Sequence, residues 1–162
     1  MKLIVVSDTH YYNNCLFELQ KQYPQADYFI HCGDLEGDPD QYPGWIIVRG
    51  NNDYDLRLPL NKILEIENHR ILIMHSHNMR MCRTEAMVHD ALVNNCDIVC
   101  FGHTHVPSKQ KENNVLLINP GSIWFDRSGK KGSYAIIDIN SNDVCVEFVY
   151  NDGTHPWFDR EF

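Results

Sequence analysis

The chain has 162 residues, a formal net charge of −8, 43% hydrophobic and 22% charged residues. That length suggests a single domain spanning 1–162, and a chain of this size buries roughly 70% of its unfolded surface. The acidic balance excludes a general nucleic-acid binder, which needs a basic face for phosphates, but not a phosphate-bearing substrate, because a bound metal reverses the local sign.

Lys2 to Val6 is an apolar, β-branched run and predicts a buried strand. It is too short for a signal-peptide core, and no apolar stretch nears the ~20 residues of a membrane span. Asn13 to Tyr23 carries Leu16, Leu19 and Gln20 at helical spacing and stops at Pro24, so it predicts a helix. Tyr28 to Ile30 predicts a short strand, Glu36 to Gly44 a Pro/Gly loop, and Trp45 to Val48 the next strand. Lys62 to Glu67 and Arg70 to Met74 predict two strands around a turn at Asn68-His69. Arg83 to Asn94 predicts a second helix. Asp97 to Phe101, Val115 to Ile118, Ser133 to Asp138 and Val144 to Val149 predict further strands. The tail, Asn151 to Phe162, has no clear pattern. The order suggests an α/β domain of two sheets, one half parallel and the other antiparallel.

Six cysteines, Cys15, Cys32, Cys82, Cys96, Cys100 and Cys145, lie scattered in mostly apolar surroundings. They are expected to be buried free thiols, which places the protein in the reducing cytoplasm. Arg127, Lys130 and Lys131 form the basic cluster, expected as a solvated hairpin tip. Trp124 and Phe125 are expected in the core. His31 is expected as a satisfied strand residue, His69 as turn surface and His89 on a helix, while Asp38 and Asp40 should be solvated.

One pattern recurs. Apolar strands run into short polar loops: Ser7-Asp8-Thr9-His10, Gly33-Asp34, Gly50-Asn51-Asn52-Asp53, His75-Ser76-His77 and Gly102-His103-Thr104-His105. In α/β sheets, sites form outside the carboxyl ends of strands, so these loops are expected to converge. Each alone also reads as a polar turn. Together, Asp8, His10, Asp34, Asn51, His75, His103 and His105 supply two carboxylates, one amide and four imidazoles. Mixed nitrogen and oxygen donors suit Mn, Fe, Zn, Ni or Co better than Mg or Ca. Seven ligands exceed one catalytic ion and fit two if a carboxylate is shared. Two divalent ions against two carboxylates leave a local charge of about +2, which attracts phosphate.

The ordered set Asp8-x-His10, Gly33-Asp34, Gly50-Asn51-x-Asp53, His75-x-His77 and Gly102-His103-x-His105 resembles the calcineurin-like metallophosphoesterases, most closely their small YfcE-type phosphodiesterase branch. The resemblance runs from Met1 to about Ser122 and takes in Asn119-Pro120-Gly121-Ser122. It implies a β-sandwich flanked by helices and a metal-dependent phosphoric ester hydrolase. It implies that Asp8, His10 and His105 hold a first ion, that Asn51, His75 and His103 hold a second, and that Asp34 bridges them with a hydroxide that attacks phosphorus. Asp34, His10 and His77 are the candidate catalytic residues. Mn is the expected ion pair, with Fe, Zn, Ni or Co as alternatives, and the expected partner is a small phosphate ester. Small members of the family also self-associate, which makes a homo-oligomer an open expectation.

Two positions depart from the family pattern. Larger members carry a His directly after the ligand Asn, assigned to the leaving group, where this chain has Asn52. Ser76 replaces a more usual Gly. Asp53 is expected to anchor its own loop. The alternatives are a phosphomonoesterase or nucleotidase using the same site, and a catalytically silent scaffold like the retromer subunit of the family. The complete ligand set argues against the scaffold.

Overall fold

The computed structural model describes residues 1–79, 83–124, 132–141 and 143–150. Its strands form two five-stranded sheets. The first contains β1 (Lys2–Val6), β2 (Tyr28–His31), β3 (Trp45–Ile47), β9 (Ser133–Ile139) and β10 (Val144–Tyr150), in the order β10-β9-β1-β2-β3. The second contains β4 (Asn61–Ile66), β5 (His69–Met74), β6 (Ile98–Phe101), β7 (Ser108–Glu112) and β8 (Val115–Asn119), in the order β4-β5-β6-β8-β7. Among the described residues the α-helices are α1 (Asn14–Gln22) and α2 (Arg83–Val93).

Both faces of β1 are apolar because both are covered. Leu3 and Val5 join Ile30, Ile71, Ile73, Ile98, Cys100 and Ile137 in the layer between the sheets. Ile4 and Val6 face outward, into a cluster with Leu16 and Leu19 of α1. On the second sheet, Leu72, Met74 and Val99 pack with Met87, Val88 and Ala91 of α2. The expected helix-flanked sandwich is therefore observed.

The division into a parallel and an antiparallel half is corrected. Each sheet has a parallel centre, β1-β2-β3 in one and β5-β6-β8 in the other, with antiparallel strands added beside it. The β4–β5 turn is at Glu67-Asn68, so His69 belongs to the strand. Its ring contacts Asp97, Nδ1 to Oδ2, at 2.6 Å, which is not the bare turn surface expected. Strand β7 was not anticipated. Its sequence, Ser-Lys-Gln-Lys-Glu, is polar because this edge strand is mostly exposed, and Asn113-Asn114, both at positive φ, turn it into β8.

Cys15, Cys32, Cys96 and Cys100 are buried free thiols, but Cys145 is exposed on β10. Burial pushes the Cys15 and Cys100 thiols up to about 12. Trp124 is not core: it is half-buried and stacks on the exposed Tyr12 with ring centroids 3.4 Å apart. Asp38 and Asp40 are exposed as expected, yet both pair with Arg57. Cys82, Phe125, Arg127, Lys130, Lys131, His155 and the tail lie outside the described residues. Among the described residues, no helix is long and apolar enough to cross a membrane.

Candidate metal centre

The parallel strands of both sheets end at one edge of the sandwich. β1 delivers Asp8 and His10, β2 Asp34, the segment after β3 Asn51, β5 His75, and β6 His103 and His105. All seven expected donors are brought together there. Asp8 Oδ1 lies 3.2 Å from His105 Nε2 and 3.9 Å from the Nε2 atoms of His10 and His75. His10 and His105 face each other, Nε2 to Nε2, at 3.2 Å. Asn51 Oδ1 lies 3.1 Å from His75 Nε2 and 2.9 Å from His103 Nδ1. Asp34 Oδ2 lies 3.4 Å from His75 Nε2 and 4.0 Å from His10 Nε2.

The donor chemistry fits a cation. Asp8 Oδ1 is buried and accepts no properly directed hydrogen bond among the described residues, although three imidazole nitrogens surround it. A buried, unsatisfied carboxylate oxygen is costly unless a cation meets it. Asp8, His10 and His105 offer ligand atoms within 4.8 Å of one another, and so do Asp8, Asp34 and His75. Asp8 thus stands beside Asp34 between the two clusters.

The charges respond accordingly. Burial raises the Asp8 carboxyl, but the His105 contact and the neighbouring imidazoles outweigh it and hold the group below its ordinary value. Asp34 is raised by burial too, yet His75 and the two donors of Asn52 bring it well below the usual carboxylate range. Burial lowers the His75 imidazole, and Asp34 and Asp8 more than reverse that. Burial and the His75 charge depress His103 to about 4 and also lower His77. The space between Asp8 and Asp34 thus favours positive charge, while the rim imidazoles favour lone pairs.

Neighbours fix the orientations of the donor side chains. His75 Nδ1 contacts the Cys32 carbonyl at 2.7 Å and His10 Nδ1 contacts Glu36 Oε1 at 2.5 Å, so each N–H points outward and each Nε2 points inward. Asp53 does more than steady its own loop. Its carboxylate accepts from the backbone N–H groups of Gly50, Asp34 and Glu36 at 2.7–2.9 Å, clamping two loops. The Asn119–Ser122 turn clamps two others: Asn119 Nδ2 donates to Gly102 O at 3.1 Å and Ser122 Oγ to Asp8 O at 2.8 Å. His103 N–H donates to Asp8 Oδ2 at 3.1 Å. His31 is buried and satisfied: Gly33 N–H donates to its Nδ1, and its Nε2 meets Thr9 Oγ1. His77 lies at the rim, its ring centroid 5.5 Å from that of His75 and 6.4 Å from that of His103.

Glu36, expected only as the start of a Pro/Gly loop, instead stands behind His10. Its position two residues after Asp34 was the available signal. The side chain is only 13% exposed, unusual for a loop glutamate.

Residues 1–142 match the family model described as the calcineurin-like phosphoesterase superfamily domain. The probable metallophosphoesterase YsnB of Bacillus subtilis is 30% identical over 158 residues, covering 94% of this chain and 93% of that protein. The phosphodiesterase YfcE of Escherichia coli is 28% identical over 116 residues, covering 66% of this chain and 58% of that one. A crystal structure from Streptococcus pneumoniae, described as a conserved uncharacterized protein and predicted phosphoesterase, has a TM-score of 0.83 at 30% identity, covering 93% of this chain and 90% of that chain. With the fold, the convergent donors and these likenesses in agreement, the chain belongs to the calcineurin-like phosphoesterase superfamily.

Proposed function

We propose that this protein is a dinuclear metal-dependent phosphodiesterase acting on a small phosphate ester. The observation that carries this reading is the meeting of seven donor side chains at one edge of the sandwich, among them Asp8 with its buried, unsatisfied oxygen. Asp8, His10 and His105 would hold one ion, Asn51, His75 and His103 the other, with Asp34 shared. Mn suits this set, as do Fe, Zn, Ni and Co. When bound, such ions polarise a phosphoryl oxygen and lower the pKa of water.

The chain's own residues orient and hold. Asn52 donates to both Asp34 oxygens and fixes the direction of that carboxylate. Glu36 and the Cys32 carbonyl keep two imidazole lone pairs turned inward. His77, lowered by burial, is neutral at pH 7 and sits beside the site as a hydrogen-bonding group for the substrate. The diester preference draws support from the likeness to YfcE. The complete donor set favours catalysis over a silent scaffold. The four buried thiols fit a reducing cytoplasm.

The test is hydrolysis of bis-p-nitrophenyl phosphate by protein stripped of metal and reloaded with Mn. Turnover should depend on Mn and fall at least about 100-fold in Asp34→Asn, since even outer-shell partners of a metal reach that scale. Retained turnover in Asp34→Asn, or none with any divalent ion, would refute the proposal.

A further inference from the structure

We infer that Glu36 is a positioning residue for the ion on the Asp8–His10–His105 side, and that its charge makes the two ion sites unequal, so that this side fills first. The inference rests on the dinuclear reading above.

The two halves of the centre differ in what stands behind their histidines. His10 is backed by a carboxylate, Glu36 Oε1, at 2.5 Å. His75 is backed by a neutral backbone carbonyl, Cys32 O, at 2.7 Å. A carboxylate behind a ligating imidazole makes its other nitrogen a stronger donor and fixes the ring's direction. The charge count has the same sense. Glu36 stands on the His10 side alone, whereas Asn51, His75 and His103 bring no carboxylate of their own, and Asp8 and Asp34 each reach toward both His10 and His75.

Glu36 is placed for this task rather than by accident. Its backbone N–H donates to Asp53 Oδ1 at 2.7 Å, and its φ of 54° is in the left-handed region. Asp53 also accepts from Asp34 N–H, so the shared ligand and the group behind His10 are held by one carboxylate. Among the described residues, the ion-pair partner of the Glu36 carboxylate is His10. A left-handed glutamate strains the backbone, and such strain persists only where the surroundings over-determine it.

The test uses the full chain stripped of metal and titrated with Mn²⁺ by calorimetry, with bound metal counted after dialysis. Wild type should take up two ions in two resolved steps. Glu36→Gln, which keeps the shape and loses the charge, should weaken the tighter step by about 10–100-fold and leave the weaker one unchanged. Glu36→Ala should do the same, and thermal unfolding of both stripped variants checks that they remain folded. If both steps survive Glu36→Gln and Glu36→Ala unchanged, or weaken equally, the inference is overturned while the dinuclear reading stands. If wild type binds fewer than two ions, the dinuclear reading fails and takes the inference with it.

Discussion

Asn52 donates twice to Asp34, from its backbone N–H to Oδ1 at 2.8 Å and from Nδ2 to Oδ2 at 2.7 Å. Its side chain is thus committed to a site carboxylate. An amide has no proton to give a leaving group at neutral pH. His77 is a weak substitute, because burial lowers its imidazole and leaves it neutral near pH 7. A positioned general acid contributes about 10²–10⁴-fold. The expected outcome is a steep dependence on the leaving group, with p-nitrophenyl esters turned over about 10²-fold or more faster than alkyl esters. A pH–rate comparison of good and poor leaving groups checks it. Strong turnover of alkyl monoesters, unaffected by His77→Ala, would show that acid assistance comes from elsewhere.

Strand ends carry the site, and their backbone is unusual. Asp8, His10, Asp34, Ser76, His103 and His105 all have positive φ, between 46° and 73°. Left-handed backbone at a non-glycine residue costs ~1 kcal/mol or more, and such strain gathers at functional sites. It also explains the glycine usual at the position of Ser76, whose hydroxyl here turns to the Gly102 carbonyl. Close approach is equally demanding. A Cβ on Gly50 would stand 2.1 Å from Asp34 Oδ1 and 2.4 Å from Asp34 N. Gly50→Ala should therefore cost about 1–3 kcal/mol and displace the Asp34 carboxylate. Gly37→Ala, whose Cβ would crowd the side-chain end of Asn13 at 2.9 Å and meet Leu35 and Tyr42 at an ordinary 3.8 Å, should cost less. Urea denaturation and bound-metal counts on the two variants check this, and equal effects would contradict it. The strands and the convergence of the donor side chains were legible in the sequence because apolar runs ending in Asp, Asn and His declare themselves through periodicity and donor chemistry. β7 was not, because an exposed edge strand buries too little to leave an alternating pattern. Glu36 was not, because its role depends on His10, which is 26 residues earlier in sequence and joins it only when β1 and β2 pair side by side.

On the scale of the whole molecule, the donor-rich edge rests on a buried histidine that ties the sandwich's stability to pH. His31 ends β2 at 0% exposure, accepting from Gly33 N–H and meeting Thr9 Oγ1. Burial depresses its imidazole from 6.5 to about 4. The unfolded chain then binds a proton that the folded chain refuses as pH falls from 6.5 to 4. Stability is full above the unfolded value and is lost across that window, by up to about 3 kcal/mol from this residue. His103, also depressed to about 4, adds in the same sense but is discounted for its exposure to solvent. His75 is raised, so its contribution is complete below 6.5 and constant across the window. Asp8 and Asp34 are lowered, so theirs is lost only below the ordinary carboxylate range. Urea denaturation of metal-stripped protein between pH 8 and 4.5 should show stability falling below pH 6.5. His31→Asn should lower stability throughout, by ~1–3 kcal/mol for the partners it abandons, and flatten the acid slope. Equal slopes for wild type and His31→Asn would mean that the acid sensitivity arises at the rim histidines rather than beneath the site.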